Sequence, residues 1–272
     1  MFLSIIIPVY NNFKNLSRCL KSLEKQTVFE LWPGQVEVIV VDDGSKESAN
    51  TLLFCHPHES EDPLVLRDSR WSLPSTLIGG GNDNKSGAVM TIKKYRIAHS
   101  GASAARNFGF LKSSGQYVFF CDSDVIFLKS NALEKMIKML EENPDKTYSY
   151  SSFKYGLKTF KCGEFDAEKL KQNNYISTMS MIRRSALMKI IAEKNQLFDE
   201  SLKRFQDWDL WLTLLGKGEN GVWLSEILWQ AKIGGSMSKW LPKIFYKLPF
   251  LKKVKDFEKA KEIIKVKHSL KF

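Results

Sequence analysis

Chemistry in this chain is concentrated in a few acidic stretches. Asp122-Ser123-Asp124 follows the hydrophobic run Phe119-Phe120-Cys121 and precedes Val125-Ile126-Phe127. Two carboxylates one residue apart at the end of a buried strand are hard oxygen ligands suited to Mg²⁺ or Mn²⁺, and a cation held there can bind a diphosphate. Acids also end strands simply as turn residues, so the rest of the chain has to decide. Asp42-Asp43-Gly44-Ser45 closes a second apolar run, and Tyr10-Asn11-Asn12 closes a third. In Phe205-Gln206-Asp207-Trp208-Asp209-Leu210-Trp211-Leu212, acids enter an aromatic helix. Asp207 falls near the N-terminus of that helix, where the dipole favours a carboxylate, and its plain reading is an N-cap.

The elements that must position these groups follow from periodicity. Residues 3–9 are β-branched and apolar and predict a central strand. Phe13, Leu16, Cys19, Leu20 and Leu23 recur at helical spacing, with Asn11 or Asn12 as N-cap. Residues 37–41 form a second buried strand, 91–97 a third and 116–121 a fourth. Strand, helix, strand with polar strand ends is the start of a parallel α/β sheet, whose ligands sit at the carboxyl ends of the strands. Tyr10, Asp43, Asp122 and Asp124 all occupy such ends. Gly101-Ala102-Ser103-Ala104-Ala105-Arg106-Asn107 opens a helix of small residues that permits close packing; Arg106 either holds phosphate or makes a surface ion pair. Leu133, Met136, Ile137 and Leu140 mark an amphipathic helix. Further strands are expected within 147–165 and over 177–181, and a helix over 183–191. Residues 54–90 are irregular and proline- and glycine-rich, which fits a surface loop or lid. The Gly79-Gly80-Gly81 run lacks the Lys-Ser/Thr of a phosphate loop.

The chain has 272 residues, 43% hydrophobic and 26% charged, an ordinary globular composition with room for a large core. A net charge of +11 favours polyanions or phosphorylated small molecules. The cysteines are scattered without a CxxC pair and read as reduced, buried thiols. The start carries no basic n-region or cleavage site, and no apolar run approaches a spanning helix, so the expected location is the cytoplasm, at most the inner face of a membrane. After Ser238 the composition becomes basic and aromatic. Trp240, Leu241, Ile244, Phe245 and Leu248 cluster on one helical side, and Val254, Phe257, Ala260 and Ile264 on another. Such a basic amphipathic tail over 239–272 either lies in a membrane interface or packs on the main domain.

Taken together, these pieces resemble the family-2 glycosyltransferases. The matching stretches are Ser4–Asn11, Val41–Ser45, Gly101–Gly109, Asp122–Asp124 and Gln206–Trp211, in family order and covering about residues 3–238. The resemblance implies a GT-A fold, a Rossmann-like mixed α/β sheet flanked by helices. It implies a domain over 1–238, with 1–130 binding the nucleotide sugar and 131–238 forming the acceptor and catalytic half. Tyr10 would stack on the nucleobase, Asp43 would accept its imide N–H, and the backbone at Pro8 would line the same pocket. Arg106 belongs to the donor site, Asp122 would face ribose or metal, and Asp124 would ligate a Mg²⁺ or Mn²⁺ ion bridging the diphosphate. Asp207 would be the general base of a single inverting displacement onto a hydroxyl of a glycan or lipid-linked acceptor, as in cell-surface polysaccharide synthesis.

Two departures stand out. Gln206 replaces the Glu that many relatives carry before the catalytic Asp. The late stretch Gln230–Ser238 has no His to complete a metal site; Lys232 offers positive charge there instead. A non-catalytic, nucleotide-binding relative is the competing reading. A dehydrogenase is excluded by the absence of G-x-G-x-x-G, and a nucleotidyltransferase by the absence of a Gly-rich basic loop after the first strand. Nucleic acid is not an expected partner, because the basic residues concentrate in the tail and no recognition motif appears.

Overall fold

The computed structural model describes residues 1–46, 69–71, 90–232 and 252–270. Its elements run β1 (Leu3–Val9), α1 (Phe13–Leu23), α2 (Val28–Leu31), β2 (Val36–Asp42), β3 (Ser69–Trp71), β4 (Ile92–Arg96), α3 (Ala102–Leu111) and β5 (Tyr117–Phe120). The second half continues with β6 (Val125–Phe127), α4 (Ala132–Glu142), β7 (Tyr148–Tyr155), β8 (Lys158–Phe160), α5 (Ala167–Gln172), β9 (Met181–Arg183), α6 (Arg184–Lys194), α7 (Gln206–Gly216), β10 (Gly221–Ala231) and α8 (Lys252–Lys267). Among the described residues, one mixed sheet runs in the order β3-β4-β2-β1-β5-β9-β7-β10-β6, with β8 paired to β7.

β4, β2, β1 and β5 are mutually parallel. Every residue of β1 and β2 is buried, as continuous β-branched runs covered on both faces require. Alternation divides β1 between two cores. Ile5, Ile7 and Val9 pack with Phe13, Leu16 and Leu20 of α1 and with Leu133, Met136 and Leu140 of α4. Ile6 faces the other side with Phe110, Leu187, Trp208 and Trp211. Each large apolar side chain so buried contributes roughly 1.5–3 kcal/mol. Gly109 brings α3 down onto β1: a Cβ there would stand 2.4 Å from Ile6 Cγ2. At the opposite, amino end of the strands, buried Glu37 is fully bonded to Ser4 Oγ (2.7 Å), Lys93 Nζ (2.7 Å) and Ser114 N (2.7 Å).

The chain crosses from β1 to β2 on one side and later returns to β5 on the other, so a crevice opens between the carboxyl ends of β1 and β5. Their last paired residues are Ile6 and Phe120. Pro8 lies past that pair, so its missing N–H leaves no β1–β5 ladder bond unmade.

Some expectations are corrected. The strand predicted over 177–181 begins only at Met181. Ser177 Oγ accepts from Met179 N (3.2 Å) and Ser180 Oγ donates to Ser177 O (2.8 Å), local bonds that compete with a ladder. Neither Asn11 nor Asn12 caps α1 through its side chain; Asn12 Oδ1 accepts from Asn15 instead, at 2.7 Å. Gln230 and Ala231, expected in a late loop, are the end of β10; 233–238 lie outside the described residues, as does nearly all of the irregular 54–90 segment. In the tail, Trp240, Leu241, Ile244, Phe245 and Leu248 also lie outside them. The second apolar cluster packs on the domain, with Val254 and Ile264 buried and the Phe257 ring 5.0 Å from that of Phe205. That face of α8 is therefore not available to a membrane. No helix among the described residues is long and apolar enough to cross one.

Candidate active site

The first half of the crevice is built on the ends of β1 and β2. Tyr10 follows β1, and its ring stacks on His99 at 4.0 Å and 16°. Asn11 adopts a left-handed conformation (φ 48°), which lets its N–H reach Ser45 Oγ (2.8 Å) while its Oδ1 accepts from Lys46 N (2.8 Å). These bonds tie the β1 loop to the β2 loop. Asp43 is 3% exposed. Its carboxylate accepts from Ser100 N at 2.7 Å and Gly101 N at 2.9 Å, and meets His99 Nδ1 at 2.9 Å. A carboxylate offers about four lone-pair sites, so most of its capacity is already used. Gly44 has φ 68°, and a Cβ there would stand 2.7 Å from His99 N, so the turn requires glycine.

The second half is built where β5 ends and α3 and α7 converge. Arg106, on the first turns of α3, is 7% exposed. Its Nη2 donates to Asp122 Oδ1 at 2.7 Å, and its Nη1 lies 3.5 Å from Gln206 Oε1. Its guanidinium sits 5.4 Å from the Phe198 ring centroid, and its Nε has no partner among the described residues. The Asp122 side chain is 37% exposed and faces the crevice. Asp124 lies in the turn to β6, where its carbonyl accepts from Lys232 N at 3.2 Å. Burial, then the neighbouring Asp122 charge, pushes the Asp124 carboxyl up to about 6, with Arg106 opposing.

Asp207 stands in the first turn of α7. The helix is launched by Phe205 in a left-handed conformation, φ 59°, an uncommon state for a bulky residue that the packed surroundings must hold. Asn174 Nδ2 donates to Asp207 Oδ2 at 2.8 Å, and Trp208 N donates to Oδ1 at 2.9 Å. Trp208 and Trp211 anchor the helix through Nε1 to Leu170 O (2.6 Å) and Ile176 O (3.0 Å). Burial raises the Asp207 carboxyl; Trp208, Asn174 and Arg106 pull it back, and Asp122 pushes it up. A carboxylate with a raised pKa is a stronger proton acceptor once ionised, so the arrangement suits base chemistry on a hydroxyl.

The structure thus brings Arg106, Asp122, Asp124 and Asp207 into one electrostatic cluster, and sets Pro8, Tyr10 and Asp43 along the neighbouring strand ends. Arg106 makes an ion pair, but a buried one inside the crevice and not on the surface. Lys232 extends its ammonium to Asn15 Oδ1 at 3.5 Å. Among the described residues no third His, Cys, Asp or Glu joins Asp122 and Asp124. Sequence reasoning missed His99 and Asn174. His99 follows β4 at a carboxyl strand end, the same signal that singled out Asp43. Asn174 sits 33 residues from Asp207, and nothing local marks it.

Comparison with known proteins agrees with this geometry. The model of Glycosyl transferase family 2 matches residues 4–70 and 91–191, more than half of the chain. An uncharacterized glycosyltransferase of Rickettsia bellii is 28% identical over 240 residues, 85% of this chain and 29% of that protein. One from Haemophilus influenzae is 28% identical over 222 residues, 78% of this chain and 62% of that protein. The chain therefore spans less than two thirds of either relative. The structure of S. aureus TarS in complex with UDP-GlcNAc superposes with a TM-score of 0.64 at 20% identity, covering 98% of this chain and 66% of that one. The sheet order with its flanking helices is accordingly of the GT-A kind, and the family match, which covers the stretches that carry Tyr10, Asp43, Arg106 and Asp122, makes this chain a member of glycosyl transferase family 2.

Proposed function

We propose that the protein transfers a sugar from a nucleotide diphosphate sugar to a hydroxyl of a glycan or lipid-linked acceptor, with inversion, in the synthesis of a cell-surface polysaccharide. One observation carries this reading: Arg106 bridges Asp122 and the α7 N-terminus, so a donor diphosphate held near Asp122 lies within the field that also tunes Asp207. Tyr10, Asp43 and the backbone at Pro8 receive the nucleobase. Asp207 takes the proton from the attacking hydroxyl as the bond to the nucleotide breaks. Inversion needs one base and no protein nucleophile, which suits a site whose other carboxylates sit on the leaving-group side.

A divalent cation fits the donor set. Asp124 and Asp122 present hard oxygens, and burial with the Asp122 charge beside it raises the Asp124 carboxyl, a repulsion that a cation would relieve. Asp122 and Asp124 would hold Mg²⁺ or Mn²⁺, whose charge would offset that of the departing diphosphate. The basic and aromatic stretch 239–251 is where a lipid carrier at the inner face of a membrane would be met. The competing reading, a non-catalytic nucleotide-binding protein, draws on the same pair of acids, because no third metal ligand stands among the described residues.

One screen separates them. Nucleotide diphosphate sugars, beginning with UDP-GlcNAc, are offered with Mn²⁺ or Mg²⁺, and nucleoside diphosphate release is measured before and after chelation. Turnover that chelation abolishes is expected. Nucleotide binding without turnover for any donor supports the competing reading, and no binding at all defeats both.

A further inference from the structure

α8 touches the α7 segment on both sides of Asp207. Upstream, the Phe257 ring meets Phe205, the residue in the left-handed conformation, edge-on at 5.0 Å and 69°. Downstream, Asp209 is 3% exposed, and among the described residues its carboxylate is met by two residues where α8 ends. Lys267 Nζ donates to Asp209 Oδ2 at 2.9 Å, and His268 Nε2 lies 2.7 Å from Oδ1. Lys267 also binds Asp199 Oδ2 at 2.6 Å, in the loop that leads into α7. Buried carboxylates need such pairing, and nothing within α7 supplies it. The pairs span 58 and 59 residues of sequence, so they hold one helix against another and do not simply stabilise a local turn.

We infer that the C-terminal helix is a brace for the base helix, with Lys267 and His268 on Asp209 and Phe257 on Phe205 acting as positioning residues for Asp207. The inference rests on the reading of Asp207 as the base. Base catalysis tolerates little displacement, because the carboxylate has to stay within hydrogen-bond reach of the acceptor hydroxyl. α8 itself touches neither donor nor acceptor in this account. Its loss lowers turnover and leaves donor binding intact.

The test uses the full-length chain carrying Lys267→Met, with Lys267→Arg as the conservative control and Phe257→Ala as an independent break of the other contact. Amide hydrogen exchange is followed over 205–211, with β1 and β5 as the measure of an intact fold. In Lys267→Met and in Phe257→Ala, exchange over 205–211 is expected to rise about tenfold or more while β1 and β5 stay protected. For whichever nucleotide sugar the wild type hydrolyses, kcat is expected to fall about tenfold with donor KM within about twofold, and Lys267→Arg to recover most of the loss. Exchange over 205–211 within about twofold of wild type in both variants overturns the brace. A fall in KM-dependent donor binding equal to the fall in kcat also overturns it, as it would mean general damage. Asp207→Asn at wild-type turnover would sink the base assignment instead, and the exchange data then judge the brace separately.

Discussion

The two halves of the crevice handle their carboxylates in opposite ways. Asp43, where β2 ends, is buried and already holds Ser100 N, Gly101 N and His99. Asp124 and Asp207, past β5 and at the start of α7, have carboxyls raised first by burial, and Arg106 keeps a buried Nε without a partner among the described residues. In the first half the fold itself supplies most of the partners. In the second, burial and the neighbouring Asp122 disfavour the charged acids, and the cation keeps one buried donor unused among the described residues, as a site completed by ligand would. The difference teaches where stability and function part: bonds to Asp43 hold loops together, whereas Asp124 and Asp207 cost the fold something to keep ionised.

The comparison can be broken most severely at Asp207. Asp207→Asn is expected to lower kcat by about 10²–10⁴-fold, the range for a general base, read from initial rates of nucleoside diphosphate release. Next comes Arg106, which holds both the Asp207 and Asp124 carboxyls down. The base works only when ionised, so the wild-type rate falls as pH drops through the raised Asp207 value. Arg106→Gln removes the lowering charge and should move that acid limb to higher pH, together with a loss of about tenfold or more in kcat/KM. A pH–rate profile reads both, and an unmoved limb would detach Arg106 from the base.

Stability should separate the halves more gently. Asp43→Ala strands two backbone donors and should cost about 1–3 kcal/mol. Asp124→Asn should gain about 0.5–1 kcal/mol at pH 8. The sign follows from linkage: a carboxyl raised to about 6 in the fold contributes stability below its unfolded value of about 3.9, and loses it as pH rises through the folded value. Denaturant unfolding of the pair at pH 8 checks this, and equal losses in both would erase the distinction. The smallest effect belongs to Gln206→Glu. A second charge beside Asp207 and Arg106 should raise the Asp207 carboxyl further and slow turnover at neutral pH by a few fold, about 0.5–1 kcal/mol in barrier, measured against the same profile.

Much of this was readable in the chain and some was not, for identifiable reasons. β1 and β2 are uninterrupted β-branched runs, and only a doubly covered parallel strand accommodates them. Asp43, Asp122 and Asp124 stand out in the sequence because strand ends in such sheets gather ligands. β10 went unread because its register shifts between Leu224 and Ile227 and again between Ile227 and Trp229, and a bulged strand does not alternate strictly. The saturation of Asp43 by Ser100 and Gly101, the Asn174 bond to Asp207 and the Lys267–Asp209 pair depend on contacts across 33 to 58 residues. Residue type and spacing marked Asp207 as charged at a helix start. They carried no information about what holds it.

Gly109 gives the site a standard of length. A single methyl group there would collide with Ile6 Cγ2 at 2.4 Å, so α3 rests on β1 closer than a residue with a side chain would allow. Arg106 lies three residues earlier on the same helix, nearly one turn away. Any retreat of the helix from the sheet would carry the guanidinium with it, away from the carboxylate at the end of β5. The reach of the one cation that ties this cluster together is thus gauged by a residue with no side chain, buried beneath the crevice and remote from anything a substrate could touch.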